Sequence, residues 1–159
     1  MSYAVSFKKI LIVAITSMML TACATTTKKS TGQMQGDVYT GTDTVEYLAT
    51  GVKDRVFFAT NKSTLTTASR DTLRKQAAFM RKKKDLSFTI EGHADERGTR
   101  EYNLALGDRR ANAVLSYLAQ LGVASGRLQS VSFGEERPAK KASSEAAYAL
   151  NRRAEFKIR

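Results

Sequence analysis

The strongest constraint on the fold is the order of hydrophobic patterns from Val52 to the end of the chain. Short apolar or alternating segments, typical of strands, are separated by two helix-length amphipathic segments. The predicted order is β-α-β-α-β-loop-β. This order predicts an α/β fold, a two-layer sandwich in which a mixed four-stranded sheet carries two long helices on one face.

The individual segments are placed by their periodicity. Apolar residues at helical spacing predict a first helix through Leu73, Ala77 and Met80 and a second from Leu104 to Leu121. The polar stretch from Gly92 to Glu101 is predicted to be a loop between them. The predicted strands lie around Val56–Phe58, Leu86–Ile90, Val131–Phe133 and Ala154–Ile158.

The amino-terminal segment has the pattern of an export signal. Lys8 and Lys9 precede an eleven-residue apolar run, Ile10–Leu20. As a helix this run would span roughly 16 Å, about half of a bilayer's hydrocarbon core, which is typical of a cleaved signal peptide. Leu20-Thr21-Ala22-Cys23 resembles the bacterial lipobox, and Cys23 is the only cysteine of the chain. That resemblance implies cleavage before Cys23 and lipidation of Cys23.

Residues 24–50 are rich in Thr, Gly, Lys and Ser and have few large apolar side chains. Such a composition cannot bury enough surface to offset the entropy of ordering, so it predicts a flexible tether. The chain is thus divided into a signal peptide at 1–22, a lipidated cysteine with its tether at 23–50, and a folded domain at 51–159. The resemblance to lipoproteins also implies the sorting rule of enteric lipoproteins, by which Ala24 in place of an aspartate after the cysteine favours delivery to the outer membrane.

The charge of the chain suits a polyanionic partner. The net charge is +11, and removal of residues 1–22 would leave 24 basic and 15 acidic side chains, a charge of +9. Nucleic acid, anionic lipid and a carboxylate-rich polymer would all fit such a charge. Export, scattered basic residues and the lack of an aromatic stacking motif argue against nucleic acid.

The densest group of functional side chains follows the second predicted strand, where α/β folds often place their sites. The segments EGHADERGT at 91–99 and YNLALGDRRANAVLSYL at 102–118 resemble the OmpA-like peptidoglycan-binding domain. More closely, they resemble the family of peptidoglycan-associated lipoproteins of the Tol-Pal system. Asn151-Arg152-Arg153 fits the same pattern, and the resemblance covers Val52 to Arg159.

The resemblance implies a pocket for the diaminopimelate side chain of the peptidoglycan stem peptide. That side chain ends in an ammonium and a carboxylate, so Asp95 is expected to accept from the ammonium and Arg110 to fork onto the carboxylate. Simpler roles stay open: Asp95 could pair with Arg97, and Arg110 could be a solvated helix charge. Thr99 and Asn103 are expected to bond the ligand or hold the loop. His93 as a loop-ordering hydrogen bonder, Leu104 as a packing residue and Arg153 are expected to support the site.

The first loop departs from the family. Many relatives carry an aspartate after the first strand, whereas this chain reads Ala59-Thr60-Asn61-Lys62. A ligand contact made there by a carboxylate is lost, or is reduced to backbone and amide groups. Binding is then expected to depend more on Asp95 and Arg110.

The resemblance implies an outer-membrane lipoprotein that binds peptidoglycan non-covalently and takes part in the Tol-Pal envelope and cell-division system. Its implied partners are peptidoglycan, TolB and other Tol proteins, with the lipid anchor facing the membrane and the domain facing the periplasm. The alternative is a scaffold that binds mainly protein partners. Catalysis is not expected, because the chain has one histidine and its one cysteine is assigned to lipidation. No cofactor or metal is expected.

Overall fold

A computed structural model of the chain describes residues 34–39 and 46–159. Its helices are α1 (Thr67–Lys82), α2 (Arg100–Gln120) and α3 (Glu145–Asn151). Cys23, the predicted signal peptide and most of the predicted tether lie outside the described residues. The strands are β1 (Met34–Gln35), β2 (Val38–Tyr39), β3 (Tyr47–Ala49), β4 (Val52–Lys53), β5 (Arg55–Phe57), β6 (Phe88–His93), β7 (Leu128–Gly134) and β8 (Arg153–Ile158).

The main sheet has the strand order β5-β8-β6-β7. Strands β6 and β7 are parallel and are joined through α2, whereas β8 is antiparallel to both β5 and β6. The predicted mixed four-stranded α/β sandwich is thus confirmed. Within residues 34–39 and 46–159, no helix has the length and apolar character needed to cross a membrane.

Both long helices pack on one face of the sheet, as their apolar periodicity predicts. Apolar residues of α1 and α2 meet alternate residues of the strands in a single core. This core contains Leu73, Ala77 and Met80 of α1, Ala111, Val114 and Leu118 of α2, and Phe88, Ile90, Ala154 and Phe156 of the strands.

The opposite face of the sheet carries a buried layer of paired charges. Arg153 Nε donates to Glu155 Oε2 at 2.7 Å, and Arg55 Nη1 lies 3.6 Å from the same oxygen. Arg55 also pairs with Asp54 at 2.6 Å. Burial alone would raise the pKa of Glu155, but Arg153 and Arg55 outweigh it and lower that pKa to about 2. Because the charges satisfy one another, they can remain buried.

A pair of glycines brings α2 against the end of β6. A Cβ atom on Gly92 would lie 1.9 Å from the backbone oxygen of Gly107, and one on Gly107 would lie 2.3 Å from Ser132 Oγ. Only residues without side chains allow this approach. The contact sets the distance between the loop that follows β6 and the first turns of α2.

The region predicted to be a flexible tether is partly ordered. Strands β1 and β2 form an antiparallel hairpin whose Val38 and Tyr39 are buried. The ring of Tyr39 packs edge-on against Phe57 of β5, with centroids 4.9 Å apart, and Ala149 of α3 joins the same cluster. Composition missed this hairpin because its stabilising contacts are with distant residues. Strand β3 also falls within the predicted tether and pairs with β4.

The loop predicted at Gly92–Glu101 is shorter than the sequence indicates. Strand β6 continues through His93, and α2 begins at Arg100. The intervening turn, residues 94–99, is the connection that carries Asp95.

Candidate functional site

Asp95 follows the carboxyl end of β6 and is buried, with 9% of its side chain exposed. Its Oδ1 accepts from the backbone N–H and Nε of Arg97, both at 3.2 Å. Its Oδ2 accepts from Arg97 Nη2 at 2.8 Å and from Arg152 Nη1 at 3.2 Å. Burial alone would raise the pKa of Asp95, but the bonds from Arg97 and Arg152 hold it below its ordinary value. The pairing with Arg97 left open from the sequence is therefore present.

The two arginines on Asp95 differ in accessibility. The side chain of Arg97 is 43% exposed, and its guanidinium also lies over the ring of Tyr148 at 4.5 Å. The side chain of Arg152 is fully buried. Exposed side chains exchange partners easily, so Arg97 is the partner that a cationic ligand can replace at Asp95.

Arg152 connects several parts of the site. Its guanidinium donates to Asp95, to Glu145 Oε1 at 2.8 Å and to the carbonyl of Phe58 at 3.2 Å. It also donates to the carbonyl of Asp37 in the β1–β2 hairpin. From the sequence, Arg152 was named only within the segment Asn151-Arg152-Arg153, and no role at the site was predicted for it.

The support expected from Arg153 comes instead from Arg152. Arg153 donates to Glu155 and to the carbonyl of Arg137 on the other face of the sheet. The sequence does indicate this difference, because alternate residues of a strand lie on the same face. Arg152 is two and four residues before the core residues Ala154 and Phe156, whereas Arg153 alternates with them.

Arg110 of α2 is a buried cation held by backbone oxygens. It has no exposed surface, and its guanidinium donates to the carbonyls of Lys62 at 2.9 Å, His93 at 2.7 Å and Ala59 at 3.1 Å. Within the described part of the chain, no carboxylate lies within ion-pair distance of it. Burial lowers its pKa to about 10, although the charge of Asp95 acts in the opposite direction. Arg110 is thus not the solvated helix charge that the sequence left open.

Thr99 and Asn103 hold the turn between β6 and α2. Thr99 is the N-cap of α2, and its Oγ1 accepts from the N–H of Tyr102 at 3.2 Å. Asn103 is buried, and its Nδ2 donates to the carbonyl of Arg97 at 3.2 Å and to Glu135. Because both residues fix the backbone around Asp95, they position the carboxylate.

His93 and Leu104 differ from their expected roles. The ring of His93 is buried and stacked on Phe133 at 5.7 Å, and neither ring nitrogen has a hydrogen-bond partner among the described residues. Its contribution to the site is its backbone carbonyl, which accepts from Arg110. Leu104 is 40% exposed and is not part of the core, so its side chain lies open to solvent near Ser132 of β7.

Glu91, His93 and Glu155 bring their side-chain ligand atoms within 4.8 Å of one another, a spacing that a metal ion could bridge. The charges around them oppose such an ion. Glu155 is already bound by Arg153 at 2.7 Å and Lys157 at 3.2 Å, so a dication there would meet several cations at close range. We therefore assign no metal site to this cluster.

The first loop, residues 59–62, lies beside the guanidinium of Arg110. Its carbonyls at Ala59 and Lys62 bind Arg110, and Asn61 adopts a left-handed conformation with φ of 54°. The loop has no acidic residue of its own, but Asp37 Oδ2 accepts from the N–H of Thr60 at 2.5 Å. No local sequence pattern connects Asp37 with this loop, so no role was predicted for it from the sequence.

An open cleft of about 320 Å³ lies beside the turn that carries Asp95. Glu96, Glu135, Lys140 and Lys141 are among its lining residues. Glu96 Oε1 accepts from Ser143 at 2.6 Å and from Tyr148 at 2.9 Å, which ties the turn to α3. The turn is thus held by α3 as well as by α2.

Comparison with known proteins places this arrangement in a family. The OmpA family matches residues 57–152. The peptidoglycan-associated lipoprotein of Brucella melitensis is 40% identical over 143 residues, which cover 87% of this chain and 84% of that protein. The peptidoglycan-associated lipoprotein of Pasteurella multocida is 42% identical over 147 residues, which cover 92% and 94% of the two chains.

Solved structures agree with these sequence relatives. The crystal structure of the peptidoglycan-associated lipoprotein of Burkholderia pseudomallei has a TM-score of 0.65 at 36% identity, covering 67% of this chain and 91% of that one. The C-terminal domain of Helicobacter pylori MotB has a TM-score of 0.63 at 21% identity, covering 67% and 84%, and shares the fold. The chain therefore belongs to the OmpA family, within the group of peptidoglycan-associated lipoproteins.

Proposed function

We propose that this protein binds peptidoglycan non-covalently through the diaminopimelate side chain of the stem peptide. The observation that carries the proposal is the buried guanidinium of Arg110, which has carbonyl but no carboxylate partners among the described residues and lies near the buried carboxylate of Asp95. A buried cation without a counter-charge is costly, and a ligand carboxylate would reduce that cost.

The ligand's ammonium is assigned to Asp95. It takes the place of the exposed Arg97, while Arg152 keeps the carboxylate in position from beneath. The ligand's carboxylate is assigned to Arg110. Because Arg110 has no exposed surface, loop 59–62 or the residues that cover it must shift before the carboxylate reaches the guanidinium.

The same proposal extends to the place of the protein in the cell. Lipidation of Cys23 would anchor it to the outer membrane, with the domain facing the periplasm, so that one chain links membrane and cell wall. TolB and other Tol proteins are the proposed protein partners within the Tol-Pal envelope and cell-division system. The proposed role is binding without catalysis.

The test is co-sedimentation of the full chain, purified in detergent, with diaminopimelate-type cell walls. Asp95→Asn removes the charge at nearly constant size, and we expect its Kd to rise by more than about tenfold, because the ammonium loses its acceptor. Asp108→Asn and Arg109→Gln are matched controls, since both residues are exposed on α2. Circular dichroism establishes that each variant is folded.

Arg110→Lys keeps the charge but removes the planar fork. Cell walls with lysine in place of diaminopimelate lack the side-chain carboxylate, so we expect the unmodified protein to prefer diaminopimelate walls and Arg110→Lys to lose the preference. Equal pelleting of all proteins, reversed by salt, would mean that binding depends only on net charge. No pelleting of the unmodified protein would favour a scaffold that binds mainly protein partners.

A further inference from the structure

The β1–β2 hairpin brings an acidic side chain to the loop that has none of its own. Asp37 lies in the turn between β1 and β2, and its Oδ2 accepts from the N–H of Thr60 at 2.5 Å. Thr60 lies between Ala59 and Lys62, whose carbonyls hold Arg110. The carboxylate of Asp37 is therefore at the edge of the proposed pocket.

A second contact ties Asp37 to the other half of the pocket. One guanidinium, that of Arg152, donates both to the carbonyl of Asp37 and to the carboxylate of Asp95. The hairpin is also anchored by Tyr39 against Phe57. Asp37 is thus held by backbone, side-chain and apolar contacts, and its position is not that of a free surface residue.

We propose that Asp37 is a ligand-binding residue of this site and supplies, from the segment before the domain, the carboxylate that loop 59–62 lacks. The inference rests on the proposed function. In the proposed complex, the ligand's ammonium lies between the carboxylates of Asp95 and Asp37, and the β1–β2 hairpin is part of the binding site.

The chemistry of the ligand and the site supports a second carboxylate. An ammonium has several N–H donors, and Asp95 already accepts from two arginines. Arg97, Arg110 and Arg152 put three cations near Asp95, and Glu145 pairs with Arg97 at 3.2 Å and with Arg152 at 2.8 Å. Two carboxylates against three cations leave a net positive charge, so a further negative charge improves the balance for a cationic group. Asp37 is half-buried, and its Oδ2 accepts from the N–H of Thr60, whereas its Oδ1 accepts no hydrogen bond from residues 34–39 or 46–159 and can face a ligand. The Thr60 N–H lowers the pKa of Asp37, which favours its ionised form.

The test compares Asp37→Asn with the double variant Asp37→Asn, Asn61→Asp in the full chain. Asn61 is exposed in a left-handed conformation, which aspartate tolerates as asparagine does. Binding to diaminopimelate cell walls is measured in detergent, with Asp85→Asn as a control for loss of one distant exposed acid. We expect Asp37→Asn to raise Kd about tenfold and the carboxylate added by Asn61→Asp to restore most of the loss. A role limited to hairpin docking would not be rescued by an acid on the loop.

The outcomes separate the two proposals. If the unmodified protein binds and Asp95→Asn does not, while Asp37→Asn binds as the unmodified protein does, the inference about Asp37 is wrong and the proposed function stands. Tighter binding by Asp37→Asn would also overturn the inference, because the hairpin would then obstruct the pocket. If the unmodified protein does not bind at all, both proposals fail.

Discussion

Individual side chains in this domain are buried at a cost that their neighbours only partly offset. His93 is the clearest case, because its ring is buried against Phe133 and has no hydrogen-bond partner among the described residues. Burial, followed by the charges of Arg153 and Arg137, lowers the pKa of His93 from 6.5 to about 3. The folded protein therefore keeps this ring neutral under conditions in which an unfolded chain would protonate it.

This difference predicts a pH-dependent stability. Below pH 6.5 the unfolded chain binds a proton on His93 and the folded chain does not until about pH 3, so stability is lost as pH falls through that window. Between pH 6.5 and 5 the loss should be about 2 kcal/mol. Because His93 is the only histidine, His93→Leu should make the unfolding free energy nearly independent of pH in this range. Urea unfolding at several pH values gives the slope of unfolding free energy against pH for the unmodified protein and for His93→Leu. Equal slopes for the two proteins would contradict the prediction.

At the scale of elements, the contact between β6 and α2 determines the geometry of the site. Gly92 and Gly107 let the backbone of the strand and the helix touch, and the turn that carries Asp95 begins two residues after Gly92. Arg110 lies one helical turn beyond Gly107, so the same contact sets the distance between the acid and the base.

Gly92→Ala should therefore be strongly destabilising. Its Cβ would lie 1.9 Å from the Gly107 carbonyl oxygen, which is backbone and cannot rotate away. We expect a loss of about 3 kcal/mol or more in the free energy of unfolding. Gly126→Ala is the matched control, since a Cβ there meets nothing within 4 Å, and it should change stability by less than about 0.5 kcal/mol. Similar effects of the two substitutions would contradict this account of the glycine pair.

Periodicity predicted the elements well because it reflects burial on one face of each helix and strand. Phe88 and Ile90 alternate with polar residues, and Leu73, Ala77 and Met80 recur at helical spacing, so the sheet and the long helices followed from the sequence. The contact between Asp37 and Thr60 did not, because it joins residues 23 positions apart. No local pattern records such a pairing, and the same holds for the bond between Arg152 and Asp95.

At the scale of the whole molecule, the predicted lipid on Cys23 should decide where the protein is found. Cys23→Ser removes the only thiol, so we expect the variant to leave the outer-membrane fraction and to lose incorporation of radiolabelled palmitate. Fractionation of cells that express each form measures the first effect. Ser6→Ala, in the amino-terminal segment before the apolar run, is a control and should remain with the membrane. A Cys23→Ser variant that stays membrane-bound in high salt would contradict the prediction.

The position of the β1–β2 hairpin limits how far apart a membrane and a cell wall can be while one chain holds both. Asp37 is bound to Thr60 at the end of the domain where the proposed pocket lies. If Cys23 carries the lipid, the membrane and the wall lie at the same end of the domain. The length of the folded domain then does not increase the distance between membrane and wall that one chain can span. The fourteen peptide links from Cys23 to Asp37 then set the upper limit, roughly 50 Å when fully extended.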